Sequence, residues 1–176
     1  MKLFLLLFLC CIYTPAYAAE LFGVNLNGAT RDELRLAVEN AGVKLIQYAG
    51  QGSFYDVYQG KAVLYKAKQL YLGFVKKDKR FAFAEYEFSG LKHPILLNKL
   101  NEKYGLAKLV KGKFLTDRSY SWVSKGTQIT LSPDWKAYKT RLIYSDPAAL
   151  KELRNEQKLF KIALGRQYAV YLDQAY

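Results

Sequence analysis

The sequence predicts an α+β fold: two consecutive helix-plus-antiparallel-sheet units, in the order a tandem repeat would have, followed by a long C-terminal helix. Three observations predict it. Two amphipathic stretches that end in glycine each precede runs rich in tyrosine, phenylalanine and valine. Within each unit those runs are separated by hairpin-length turns, which join antiparallel strands, whereas parallel strands need long crossovers. A third amphipathic stretch closes the chain.

The N-terminus, "MKLFLLLFLCCIYTPAYAAE", has one positive residue, Lys2, an apolar run from Leu3 to about Tyr13, a break at Pro15 and the small-x-small pattern Ala16-Tyr17-Ala18. This is the layout of a secretory signal peptide, residues 1–18, cleaved after Ala18. The mature chain, residues 19–176, is then periplasmic or secreted. The apolar run is shorter than the roughly 20 residues a membrane-spanning helix needs, so no transmembrane segment is expected after cleavage. Both cysteines, Cys10 and Cys11, lie in the leader, and Phe8-Leu9 before them is not a lipobox. The mature chain therefore has no thiol nucleophile and no disulfide, and its stability rests on packing.

The full chain carries 27 Lys and Arg against 15 Asp and Glu, a formal charge of +12. Cleavage removes Lys2 and no acidic residue, so the mature charge is +11. An excess of that size favours anionic partners, which outside the cytoplasm include lipid headgroups, cell-wall polymers, extracellular nucleic acid and acidic proteins. The mature length suits one well-buried core, hence a single domain, with sub-units 22–90 and 91–145 and a terminal helix over 146–174.

The first unit opens with "GATRDELRLAVENAG". Thr30 and Glu33 have capping-box spacing, Leu34, Val38 and Ala41 share a face, and Gly42 stands where a helix stops. After the glycine-bearing loop "YAGQGS", the runs "FYDVY", "AVLYKA", "QLYLGFV" and "RFAFAEYEF" read as strands. The second unit starts at "HPILLNKLNEKYG", with Pro94 at a first helical position, Leu97, Leu100 and Tyr104 on one stripe and Gly105 at the end. A basic loop, "LAKLVKGKFLTDR", leads to "SYSWVSKGTQITLS", a hairpin turning at Lys125-Gly126 that sets Trp122 opposite Ile129 and Tyr120 opposite Leu131. "AYKTRLIYS" adds a strand. The last helix starts at Asp146 as cap and Pro147, carries Leu150, Leu153, Phe160 and Leu164 on one stripe, and meets an end or a bend at Gly165.

In "FAFAEYEF", Glu85 and Glu87 fall on one side of a strand, about 6 to 7 Å apart at the strand rise. That separation lies within the range used by glycosidase carboxylates, which makes Glu85 and Glu87 the catalytic candidates of the chain. The turn "VKKDKR", looped over Lys77-Asp78 or over Lys76 to Lys79, sets Phe81 opposite Phe74, Phe83 opposite Leu72, Glu85 opposite Leu70 and Glu87 opposite Lys68. Glu87 then forms an ordinary cross-strand pair with Lys68. Glu85, nearer the apolar end, would have its pKa raised by burial.

Other chemistry is sparse. His93 is the one histidine, directly before Pro94, and no cysteine remains in the mature chain, so no metal site is predicted. No cofactor is predicted either: "GQGS" lacks the Lys-Ser/Thr of a phosphate loop, and no G-x-G-x-x-G or D-x-D-x-D-G motif occurs. On the terminal helix Lys151, Arg154, Lys158 and Lys161 recur at three- and four-residue steps, the pattern of a basic amphipathic face that can rest on headgroups or phosphates. Lysines at 108, 111 and 113 and in the turn of Lys76, Lys77, Lys79 and Arg80 add charge elsewhere. Tyrosines interleave with these residues, yet no recognised nucleic-acid motif is present, so nucleic acid is not the favoured partner.

"GATRDELRLAVENAG" followed by tryptophan-bearing strands resembles small bacterial envelope proteins built of helix-plus-sheet modules, including tandem modules of the beta-lactamase inhibitory protein type. The resemblance covers one helix and one hairpin per unit, lacks disulfides and implies a fold, not an activity. The sequence thus points to an exported, non-enzymatic envelope protein that acts as a binding, assembly or adaptor module for a protein or an anionic partner. Trp122, Tyr120, Lys151, Arg154, Lys158 and Lys161 are its binding candidates. The competing readings are a small secreted hydrolase of glycosidic or phosphodiester bonds using Glu85, and a basic binder of nucleic acid or anionic lipid.

Overall fold

The structure, a computed structural model, describes residues 18–49, 54–62, 64, 66–90, 92–112 and 118–175. The signal peptide expected over residues 1–18 therefore lies outside the described residues except for Ala18, as do part of "YAGQGS" and Lys113 in the basic loop.

A two-residue ribbon, β1 (Glu20–Leu21) and β2 (Val24–Asn25), comes first. Its turn residues Phe22 and Gly23 both take positive φ, as tight hairpins require. Helix α1 (Arg31–Asn40) starts at Thr30 with both halves of the capping box formed. The Thr30 hydroxyl accepts from Glu33 N–H, and the Glu33 carboxylate accepts from Thr30 N–H at 2.8 Å. Leu34 and Val38 face the core, and Gly42 follows the helix at φ 72°.

Strands β3 (Leu45–Gln47), β4 (Tyr55–Gln59), β5 (Ala67–Phe74) and β6 (Phe81–Ser89) follow. Helix α2 (His93–Tyr104) has Pro94 in its first turn and Gly105 after its end at φ 84°. Then come β7 (Lys108–Val110), β8 (Ser119–Ser124), β9 (Thr127–Asp134), β10 (Lys139–Ser145) and α3 (Pro147–Ala175). β3 to β10 form one antiparallel eight-stranded sheet in the order β3-β4-β5-β6-β10-β9-β8-β7. The two runs of four strands, each preceded by a helix, meet through their last strands. Element order recurs between the halves; it does not by itself establish a duplication.

The main core lies on one face of the sheet, under α1, α2 and the ribbon. Tyr58, Leu70, Leu72, Phe88, Ile129 and Leu131 supply its floor, each essentially inaccessible. A smaller cluster on the opposite face joins Val75 and Ala82 to Ala149 and Leu153 of α3. Asp146 caps α3, accepting from the N–H groups of Ala148 and Ala149 at 2.9 and 3.0 Å. Phe160 meets Phe54 edge to face at 5.3 Å.

The β8–β9 hairpin has the expected register, Trp122 opposite Ile129 and Tyr120 opposite Leu131, with Lys125 and Gly126 at positive φ. The β5–β6 register differs from expectation. Phe74 does pair with Phe81 across the Lys76–Lys79 loop, but Ala82 is then bulged out of the ladder, so Phe83 faces Gly73, Glu85 faces Tyr71 and Glu87 faces Gln69. One inserted residue changes the partner of every position after it. A second correction concerns "AVLYKA". Its first residue, Ala62, ends a 3-10 turn over Gly60–Ala62, with Leu64 N–H donating to the Gly60 carbonyl, its last, Ala67, opens β5, and Val63 and Tyr65 lie outside the described residues. Gly60 lies so close to β5 that a Cβ would stand 2.6 Å from the Gln69 nitrogen. Finally, Gly165 neither ends nor breaks α3 as the secondary structure runs: the helix continues to Ala175, since an exposed interior glycine costs only about 1 kcal/mol relative to alanine.

One buried carboxylate ties α1 to the sheet. Asp56 on β4 is inaccessible and accepts from Arg31 and Arg35 at 2.9 Å each, and from the Ala49 N–H at 2.6 Å. Burial pushes its pKa up, but the bonds from Arg35, Arg31 and Ala49 outweigh this and hold the carboxyl below its ordinary value. A depressed pKa gives stability that is present above the unfolded-state value and lost as pH falls through the folded one. Asp56→Asn should therefore cost about 3 kcal/mol at neutral pH, the lower end for breaking a buried pair, and lose part of the acid-unfolding limb. Urea titrations at several pH values measure both.

Candidate functional site

Alternation along each strand sends side chains to two faces, and here only one face is roofed by α1 and α2. Among the described residues, the other face is covered by α3 and Phe54 at one end alone. Register across the sheet makes two adjacent rungs on this bare face. The first runs Tyr71, Glu85, Ile143, Thr130, Ser121. The second runs Gln69, Glu87, Arg141, Ser132 and, by extension of the ladder, Ser119.

Glu85 and Glu87 do share a side, as the strand period requires. Their partners come from β10, not from β5. Lys139 Nζ lies 3.0 Å from Glu87, and Arg141 Nε lies 3.5 Å from Glu85. Each pair is diagonal, because Arg141 stands opposite Glu87 and Lys139 opposite Ser89. The expected Glu87–Lys68 pair is thus replaced, since the bulge at Ala82 and an irregularity at Lys68 give Glu87 the neighbour Gln69 instead. Arg141 also reaches Asp134 at 3.7 Å.

Glu85 lines a shallow depression of about 220 Å³ with Tyr55, Tyr71, Phe83 and Arg141. Its side chain is 22% exposed. Burial raises its pKa, Arg141 opposes the rise and the nearby Glu87 adds to it, and the result lies above the ordinary carboxylate value. Tyr55 stacks edge to face on Tyr71 at 5.7 Å and on Phe83 at 6.2 Å. Gly73 makes this possible: a Cβ there would sit 2.1 Å from the Phe83 ring, so the ring lies directly over the β5 backbone. Arg141 Nε is a buried atom with no hydrogen bond, the 3.5 Å approach to Glu85 being an ionic contact.

Arg141 also lines a second, larger depression of about 460 Å³ over β8 and β9, with Arg118, Ser119, Thr130, Ser132, Trp135 and Lys136. Trp135, in the β9–β10 turn, is 48% exposed, and its ring meets His93 at 5.7 Å. His93 begins α2 and touches neither a carboxylate nor a nucleophile among the described residues; burial lowers its pKa. No group of three His, Cys, Asp or Glu among the described residues could hold a metal ion.

The sequence-predicted binding residues divide. Trp122 is 4% exposed and belongs to the core beneath α2, its indole N–H donating to the Gly105 carbonyl at 2.8 Å, so it cannot present its ring to a partner. Tyr120 is half-buried against the same core. Lys151, Arg154, Lys158 and Lys161 are all exposed on α3, and none forms an ion pair among the described residues. The β5–β6 turn is less positive than its composition suggests, since Arg80 pairs with Asp78 and Glu152, and Lys79 with Asp32. Sequence reasoning missed Arg141, Lys139, Tyr71, Arg118 and Trp135. The alternation in "AYKTRLIYS" already set Lys139 and Arg141 on one side, but not which strand they would face.

No family model matches the chain, and no curated protein matches it. Among solved structures, a DUF4309 family protein (YjgB) from Bacillus subtilis subsp. subtilis str. 168 is similar over 70% of this chain and 83% of that one. Identity is 14% and the TM-score 0.40. No helix among the described residues is long and apolar enough to cross a membrane.

Glu85 and Asp56 should respond oppositely to pH. With its pKa raised, ionised Glu85 penalises the folded state above the ordinary carboxylate range, and the penalty vanishes as pH falls below it. Glu85→Gln is accordingly expected to unfold at higher denaturant than the parent at neutral pH and at the same concentration at pH 3. Loss of stability at both pH values would remove the raised pKa.

Proposed function

We propose that the mature chain is an exported, non-catalytic binding module of a bacterial envelope, and that its partner lies across the bare face of the sheet. The observation that carries this is the one-sided roofing: α1, α2 and the ribbon seal one face, while Tyr71, Glu85, Arg141, Thr130 and Ser132 remain half-exposed on the other. An antiparallel sheet with one wet face is ordinary. A wet face that carries a depression, three rings and a part-exposed arginine has the makings of a recognition surface. The leader composition of residues 1–18 supports export. The exposed cations of α3 form a second contact, for an anionic surface, as Lys151, Arg154, Lys158 and Lys161 face solvent.

The test is crosslinking in intact cells that make the full chain, with recovered protein, lipid and polysaccharide identified after low- and high-salt washes. Thr130→Trp, which fills the bare face, is expected to abolish capture, whereas Leu36→Glu, on the exposed side of α1, leaves it intact. Equal capture by both variants would place the partner elsewhere. Reversal of Lys151, Arg154 and Lys158 to Glu should remove only the salt-sensitive fraction.

The hydrolase reading is favoured by one observation, the depression around a Glu85 of raised pKa. Against it, Glu87 is held by Lys139 and Asp134 by Arg141, so no second free carboxylate stands beside Glu85 among the described residues. It predicts that captured polymer is shortened by the parent and not by Glu85→Gln; chromatography of the polymer after incubation decides it.

A further inference from the structure

Resting on the bare-face reading, the geometry points to an acidic polysaccharide, sugar rings carrying carboxylates, as the ligand of the groove that runs from Tyr71 across Arg141 to Arg118.

Three features select this class. The first is polar capacity around the seam. Glu85 can only accept hydrogen bonds and Arg141 can only donate, and at 3.5 Å they do not satisfy each other. The Arg141 Nε is itself buried, but its side chain is 43% exposed, so the outer guanidinium can donate to a ligand oxygen while a neighbouring hydroxyl donates to Glu85. Tyr55, Tyr71 and Phe83 border that point, apolar enough to take the C–H face of a ring.

The second is the shape and make-up of the path. From β5 to β8 it crosses four inter-strand steps of roughly 4.8 Å, about 19 Å in all, which accommodates several linked rings. At its middle strand it passes Ile143 and Arg141, and beyond them it is lined by hydroxyls, Thr130, Ser132 and Ser119.

The third is charge. At the far end Arg118 and Lys136 are exposed and form no ion pair among the described residues, and Trp135 closes the groove beside them. They call for anions on the ligand. Along the rest of the path Lys139 and Arg141 are already paired with Glu87, Glu85 and Asp134, which leaves too few unpaired cations for a densely charged phosphate backbone, whereas one carboxylate per ring can be spaced to meet Arg118 and Lys136.

The test is titration calorimetry of the mature chain with a galacturonic acid hexamer and with neutral maltohexaose, in low salt. Binding of the acidic hexamer at least tenfold tighter than the neutral one is expected. Arg118→Glu with Lys136→Glu should weaken it tenfold or more, and Tyr71→Ala fivefold or more, with the circular dichroism of each variant unchanged. Because Arg118 and Lys136 are exposed, their double variant keeps the test decisive if Tyr71→Ala fails to fold. The Lys151→Glu, Arg154→Glu, Lys158→Glu variant should bind as the parent does. No binding to the acidic hexamer, equal binding to both hexamers, or loss confined to the α3 variant overturns the inference. If the hexamer fails while Thr130→Trp still abolishes capture in cells, the bare face binds a partner of another class, a protein included, and only the polysaccharide assignment falls.

Discussion

The pairing of β6 with β10 is the constraint on which the structure depends. It joins the last strand of one helix-plus-sheet half to the last strand of the other, from Phe83 opposite Ser145 to Ser89 opposite Lys139. Without it there would be two four-stranded sheets, each with a helix on one side and neither with a shared core. With it, Tyr86 and Leu142 stand side by side in a single core that includes both Leu34 of α1 and Trp122 of β8. The same pairing brings Lys139 and Arg141 to Glu87 and Glu85, so the seam and the candidate site are one arrangement seen from two faces.

Polar groups are handled differently on the two sides. Toward the core, Asp56 is fully enclosed and fully bonded, and Thr140 donates to the Gly90 carbonyl while accepting from Lys92 N–H. Buried polar groups are tolerated when their bonds are complete. On the bare face, Glu85 and Arg141 stand in loose ionic contact at 3.5 Å, with both side chains partly exposed. The contrast separates polar groups whose bonds are completed inside the fold from polar groups that face solvent.

Local signals were the legible ones. Thr30 and Glu33 announced α1, Pro94 and Gly105 bracketed α2, and Lys125-Gly126 fixed the β8–β9 register, because each motif acts within a few residues. Two kinds of information were hidden. The bulge at Ala82 carries no glycine or proline on its own strand, where "FAFAEYEF" alternates as smoothly with it as without; its one mark is Gly73 on the facing strand. The choice of β10 as neighbour of β6 is a tertiary decision, which left the true partners of Glu85 and Glu87 invisible and made Trp122 look like a surface anchor when α2 covers it.

The seam also bears on how the chain reaches its fold. β10 is made long after β6, and until it docks, β6 is an open edge whose sequence is almost wholly aromatic or small and free of proline. Such edges recruit strands from other chains. The charges of Glu85 and Glu87, without their cations until β10 arrives, would repel a second copy of β6 laid against the first. The two glutamates that suggest chemistry in the finished protein are, earlier in its life, a safeguard against pairing with the wrong molecule.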